Sequence, residues 1–398
     1  MPAAVYILGL AIFAQGTSEL MLSGLLTELS GSLGISVPQA GWLISAFAIG
    51  MLLGAPVLAV ATARWSRRTA LVSFMAVFIA AHVVAASTSD YRVLLATRVV
   101  SAFVYAGCWA VASLTAVGLV RENERGKAMS IVAGGFAVAN IAGLPAGTFI
   151  GQHLGWRAAF WAVAVLSALA MICVLAVTPN SRSAAAPQVR RELRGLATRP
   201  VGLLYGTTIL ATSAQMAAFA YLGALVTEKT GLADGWVPVV LLVYGLGAVG
   251  GIIVGGRTAD AYPMRTLVVG VSALTLTLIL LAATAQYAIS VVVLAFLLGA
   301  FALGINPLLN SRVFALAPTA PTLGAAGNTV AFNVGITVGP WVGGLAIGAG
   351  LGYPSVAWIG AVLGVAALGV VGWSRALERR SASDAAAPVA PRLAEVDA

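Results

Sequence analysis

Among the 13 acidic residues of this sequence, Glu19 is the one that falls well inside an apolar run. It lies about 15 residues into the stretch 4–26, roughly 22 Å along a helix rising 1.5 Å per residue. A charge at that depth costs several kcal/mol unless it meets a cavity or a partner. A carboxyl held in apolar surroundings can also bind and release a proton near neutral pH, which is what a reversible proton carrier requires. Gln15 and Ser23 stand at i−4 and i+4 from it, so Gln15, Glu19 and Ser23 are expected on one helical face, as a cavity wall. A Glu locked to a fixed partner, holding its helix in place, is the other reading. Arg98, seven residues into the apolar stretch 91–118, is the basic residue expected at membrane depth. It can act on a nearby carboxylate such as Glu19, bind a polar ligand, or snorkel to the surface. Glu19 and Arg98 are therefore the proton-coupling candidates.

Other residues could hold a ligand. Phe47, Tyr105, Trp109 and Phe332 offer flat faces for an apolar molecule, and Phe219 belongs with them. Gln15, Asn140, Gln215, Asn306, Asn310, Asn328 and Asn333 offer amides that either contact a ligand or bridge helices. His82 reads as a packed or interface histidine, and His153 as a solvated loop residue. Enzyme signatures do not appear: no phosphate-binding glycine loop, no Ser/His/Asp set, no metal-ligand spacing. Cys108 and Cys173 both lie in apolar runs, so neither a disulfide nor a metal site is expected. The reading is a non-enzyme with no catalytic residues, no cofactor and no metal.

The elements that position these residues follow from composition. Of the 398 residues 60% are hydrophobic and 9% charged, whereas soluble domains carry about 25% charged residues. The missing solvent is lipid. A spanning helix needs roughly 20 apolar residues, and such runs are found at 4–26, 39–62, 69–88, 91–118, 127–150 and 157–178, then at 201–226, 236–256, 264–285, 288–314, 323–349 and 351–374. The first is read as a retained helix, not a signal peptide, because no basic n-region or cleavage site accompanies it. The fold class is thus an all-α membrane protein with twelve transmembrane helices in two six-helix bundles, residues 1–178 and 201–375. A basic linker joins them at 179–200, and a tail at 376–398 reads as disordered. The net charge of +9 does not indicate nucleic acid, because the basic residues sit in short clusters between apolar runs. Nearly all of them fall in alternate loops, the linker and the tail, which places both termini inside by the positive-inside rule. The two halves echo each other: Asn140, Gly143, Pro145 and Gly147 in the fifth span answer Asn333, Gly339 and Pro340 in the eleventh. Parallel six-helix repeats suit alternating access around a midplane site, with these Gly and Pro positions as hinge and seal.

The residues then resemble a known family. Six plus six helices with a basic central loop are similar to the major facilitator superfamily. The run Gly16-Thr17-Ser18-Glu19-Leu20, Ser23-Gly24-Leu25-Leu26, Ala40-Gly41, Ser45-Ala46-Phe47-Ala48-Ile49-Gly50 and Gly54-Ala55-Pro56 resembles its DHA1-type drug:proton antiporters, as do Gly155-Trp156-Arg157 and Ala331-Phe332-Asn333-Val334-Gly335 with Gly339-Pro340-Trp341. Within that branch, Phe13 to Glu19 and the loop Arg64-Trp65-Ser66-Arg67-Arg68 resemble the bacterial chloramphenicol-resistance exporters. The resemblance implies proton-coupled export of a small neutral amphiphilic drug, chloramphenicol first, by a monomer in the bacterial inner membrane. Protons, lipid and the drug are then its partners. It also implies gate roles for Arg64, Arg67 and Arg68, and for Arg257 with Asp260. The sequence departs from the family pattern at Ala63 and Ser66, where Asp and Gly are usual, at Ser101 and Ala102, where Gln and Gly are usual, and at Leu144, where the antiporter motif has Gly. An exporter of sugars, nucleosides or other metabolites shares most of this pattern; an uptake symporter and a non-transporting membrane sensor are the remaining alternatives.

Overall fold

The computed structural model describes residues 1–62, 65–179, 198–317 and 320–386. Twelve helices in it are long and apolar enough to cross a membrane: α1 (Ala3–Gly24), α2 (Val37–Leu58), α3 (Arg67–Ser87), α4 (Tyr91–Gly118), α5 (Arg125–Leu154), α6 (Trp156–Val177), α7 (Arg199–Lys229), α8 (Asp234–Thr258), α9 (Pro263–Thr284), α10 (Ala288–Leu316), α11 (Leu323–Gly348) and α12 (Pro354–Leu377). They are apolar around most of their circumference because one side meets protein and the other lipid, so amphipathic patterning is weak. The last helix continues to Ala386. Residues 376–386 are therefore helical where the Ala-rich, charged composition reads as disordered: alanine favours helix whether or not the segment packs. The expected linker lies, over 180–197, outside the described residues.

Helix ends follow local chemistry. Asp90 caps α4, accepting from the Arg92 and Val93 amides at 2.6 and 3.4 Å, and Ser66 caps α3 through the Thr69 amide. Past α1, a short helix Leu26–Leu33 ends at Gly34, whose φ of 64° is the left-handed stop that favours glycine.

Within each half, glycines set the closest crossings. In α2, Gly50 and Gly54 lie against the α4 backbone at Val99 and Phe103. In α8, Gly247, Gly251 and Gly255 form a four-residue ladder against the α10 backbone at Phe296, Ala300 and Gly304. Without water to drive association, spanning helices pack through such small-residue stripes. The α2/α4 and α8/α10 crossings hold corresponding places in the two halves, so the repeat is one of packing as well as of sequence.

The halves meet toward the face opposite the two termini. There α2 crosses α11, with Ser45 Oγ donating to Thr337 O at 2.9 Å and the Trp42 and Trp341 rings 6.4 Å apart. There too α5 crosses α8: Gly245 rests on the Asn140 carbonyl, and Gln152 Nε2 donates to Asp234 O at 3.1 Å. Apolar packing joins the halves from Phe13 and Phe136 to this face, where Ala220 and Tyr221 of α7 pack with the first half's core. On the terminal side, the core around Leu204, Val271 and Leu309 belongs to the second half.

Candidate functional site

The expected Gln15–Glu19–Ser23 wall separates into three environments. Ser23 is buried and donates to its own helix at Leu20 O, 2.6 Å. Gln15 is also fully buried, and its amide nitrogen lies 3.3 Å from Cys108 Sγ on α4, leaving Oε1 without a partner. Glu19 is half-buried; among the described residues it makes no hydrogen bond, and the ion pair found there is Arg125 with Glu122. Arg98 acts on the Glu19 carboxyl electrostatically without touching it.

Arg98 neither pairs directly with Glu19 nor snorkels. It is 1% exposed. Nη1 donates to Ser18 Oγ at 2.9 Å and Nε reaches Leu43 O at 3.5 Å. The guanidinium lies over the Phe47 ring, 4.2 Å from its centroid. A desolvated cation–π contact of this kind contributes about 2 kcal/mol, and it explains how a cation can rest among apolar helices without an ion pair. Nη2 is buried with no partner. Sequence reasoning missed Ser18; its place directly before Glu19 on a buried helix was the available signal.

Three aromatic candidates come together. Phe47 and Tyr105 have ring centroids 6.0 Å apart, Tyr105 and Trp109 6.2 Å edge-on, and Trp109 and Phe136 6.0 Å edge-on. Tyr105 and Trp109 are one turn apart on α4, which is why they share a face. Phe136 was not anticipated, although it stands at i−4 from Asn140 on α5. It packs against the cores of both halves, so this aromatic wall reaches the boundary between them. Across that boundary, Gln215 Nε2 donates to Tyr244 Oη at 2.5 Å, and Phe219 stacks on Tyr244 at 4.4 Å.

The asparagine candidates are engaged in helix contacts. Asn140 donates to Phe136 O, Asn333 to Thr329 O and Asn310 to Asn306 O, each one turn back on its own chain. Asn328 accepts from Thr208 at 3.0 Å and donates to Asn310 at 3.0 Å, tying α7, α10 and α11 together. Phe332 packs on the Leu204–Leu309 core of the second half, and Asn306 opens the distal segment of α10. The structure does not bring Phe332, Asn306 or Asn310 to the aromatic wall.

The Gly and Pro candidates mark crossings and an irregular turn. Gly143 packs on Thr17 and Gly147 on Met21, and the backbone between Ala139 and Gly143 forms a π-turn just before Pro145. Such turns concentrate at functional positions. In the second half Gly339 packs on the α7 backbone at Ser213, where an added Cβ would meet the Ser213 carbonyl oxygen, and Pro340 O accepts from Tyr221 at 2.8 Å inside an unbroken α11. Arg67 Nη1 donates to Leu114 O at 3.1 Å near the end of α4, where a cation complements the helix dipole. Arg68 is half-buried and Arg257 exposed. Arg64 and the Asp260 side chain lie outside the described residues. Among the described residues, no three His, Cys, Asp or Glu side chains are grouped to hold a metal.

The site is thus a half-buried carboxyl beside a buried cation and an aromatic wall at the seam of two bundles, and the chain as a whole has relatives. The chain matches the family model of the Major Facilitator Superfamily over residues 8–320. It is 39% identical over 372 residues to a chloramphenicol resistance protein of Streptomyces lividans, covering 92% of this chain and 95% of that one. It is 35% identical over 387 residues to the uncharacterized MFS-type transporter YtbD of Bacillus subtilis, covering 96% and 98%. In fold it is similar to the nucleoside transporter NupG, with a TM-score of 0.75 at 13% identity over 93% of this chain and 98% of that one. The chain is a multi-pass membrane protein and belongs to the Major Facilitator Superfamily of transporters.

Proposed function

We propose that this chain exports a small neutral amphiphilic drug, chloramphenicol first, across a bacterial inner membrane in exchange for protons, with Glu19 as the proton carrier. The observation that carries this reading is the state of Glu19: half-buried and, among the described residues, without a hydrogen bond at membrane depth, within the field of a fully buried Arg98. A carboxyl serving only to hold α1 would sit in a fixed ion pair; this one is available to a proton. The aromatic wall Phe47–Tyr105–Trp109–Phe136 supplies the adjacent face for a flat apolar drug, and the buried Gln15 Oε1 supplies an acceptor.

With both termini inside, as the loop charges indicate, the closed face, where the halves meet, is the outer one. Drug enters from the cytoplasm as Glu19 releases its proton; the outward-open form exchanges drug for a proton from outside. One charge crossing 100 mV is worth about 2.3 kcal/mol, which supports a drug gradient of roughly 50-fold per proton at about 1.4 kcal/mol per tenfold. The likeness to a chloramphenicol resistance protein supports the drug assignment. A second reading, export of a hydroxylated metabolite such as a sugar or nucleoside, is favoured by the buried amides Gln15 and Gln215, since such amides beside aromatic faces also recognise polyols. Labelled chloramphenicol accumulation in cells, with and without an uncoupler, decides between them. The expected result is lowered accumulation that the uncoupler restores, and loss of coupling with retained downhill exchange in Glu19→Gln. Unaltered proton-coupled efflux in that variant would sink the carrier assignment, and unchanged accumulation on expression would sink the drug.

A further inference from the structure

We infer that His82 is a positioning residue for Arg98, acting through the Ser18 hydroxyl to hold the guanidinium off the Glu19 carboxylate. The inference rests on the reading of Glu19 as proton carrier. His82 is 1% exposed on α3. Its Nδ1 lies 2.9 Å from Phe78 O, and a carbonyl can only accept, so Nδ1 carries a hydrogen. Its Nε2 lies 2.6 Å from Ser18 Oγ on α1. Arg98 of α4, which can only donate, directs Nη1 to the same Ser18 oxygen. The Ser18 hydrogen is then left for the Nε2 lone pair. The hydrogen bonds run in one direction, from Arg98 to Ser18 to His82 to Phe78, and the neutral imidazole completes the chain.

A histidine present only for packing would be satisfied by its stack on Phe78, centroids 4.1 Å apart, and by the Phe78 carbonyl. This one reaches a second helix, and the atom it reaches is the one that binds Arg98. The guanidinium's other polar contact is the 3.5 Å approach to Leu43 O, and Nη2 has no partner. Ser18 is therefore the short tether. Residue 19 follows on the same helix, so a guanidinium released from Ser18 has Glu19 as its nearest anion. The titratable and charged groups around the chain are Glu19 of α1 and Arg98, Tyr105 and Cys108 of α4; α6 contributes the Phe160 ring at 5.7 Å from His82.

The test is an infrared pH titration of the full chain in lipid nanodiscs, the Glu19 carboxyl band being the one that Glu19→Gln removes. Ser18→Ala and His82→Phe should each move its pH midpoint toward acid by about half a unit or more, because a released Arg98 favours the charged carboxylate. The double variant should move it no further, since both act on one tether. His82→Gln, whose amide oxygen can accept from Ser18, should stay near the wild-type midpoint. A merely structural role would alter thermal stability and leave the midpoint in place. Unmoved midpoints in both single variants, or additive shifts in the double, overturn the inference; Ser18→Ala carries the test alone if His82→Phe does not fold. If Glu19→Gln removes no band, the reading of Glu19 fails and the inference falls with it, which is a different result from an intact band that ignores His82.

Discussion

Gly245 on α8 offers a way to move the transporter between its states without altering the Glu19 carboxyl, Arg98 or the aromatic wall. A Cβ added there would run into the Asn140 carbonyl oxygen of α5, and would lie 2.9 Å from its carbonyl carbon and 3.1 Å from the Ile141 Cα. Carbon atoms rest at about 3.5–4.0 Å, and the obstacle is backbone, so α5 must withdraw by roughly half an ångström or more at the closed face. Overpacking costs about 1–3 kcal/mol. The cost applies only to the conformation in which α5 and α8 touch, so Gly245→Ala should shift the balance toward the form open at that face by about 5–150-fold. The same helix holds the controls. Gly250 faces open space, and Gly251 packs on the Ala300 backbone within its own half. Gly250→Ala should change nothing, and Gly251→Ala should lower thermal stability without altering the balance. Spin labels at Gly31→Cys and Gly235→Cys, both exposed at the closed face, in a chain lacking the native cysteines, report the separation by pulsed electron resonance. A Gly245→Ala distance distribution identical to wild type, or a Gly251→Ala shift as large, would refute the reasoning.

Two further outcomes are expected. Burial first, and then the nearby Asp234 charge, hold the Glu28 carboxyl above its ordinary 4.5, against hydrogen bonds from its own backbone, Thr27 and Gln152. The closed face thus binds that proton more tightly than an opened, hydrated one. Closure should be favoured as pH falls from above the raised value to below 4.5, and the same labels should lose this pH response in Glu28→Gln. Trp109→Ala removes the ring between Tyr105 and Phe136 and should weaken chloramphenicol binding about 2–12-fold, since an aromatic contact is worth about 0.5–1.5 kcal/mol; calorimetric affinities equal to wild type would exclude this wall from the drug site.

The sequence by itself determined the solvent, the helix count and the two-fold repeat. Lipid demands long apolar runs, and runs of about 20 residues can be counted without a structure. It also marked Glu19 and Arg98, because a charge inside such a run is costly enough to be conspicuous. Periodicity on one helix placed Tyr105 and Trp109 together. What the sequence did not determine is which helix each face meets. Gln15, Glu19 and Ser23 share a face by spacing, yet the structure turns one to Cys108, leaves one open and folds one onto its own helix. The asparagines read as either ligand contacts or helix bridges, because an amide in an apolar run needs a partner; the partner in this structure is a carbonyl one turn back, or Asn328 and Thr208 on neighbouring helices. Arg98 to Ser18 to His82 joins positions 98, 18 and 82, and no period or motif relates those numbers. Such contacts arise where three helices cross, and crossings are fixed by where glycines let backbones approach. That is a property of the packed bundle, and the tertiary structure alone decided it.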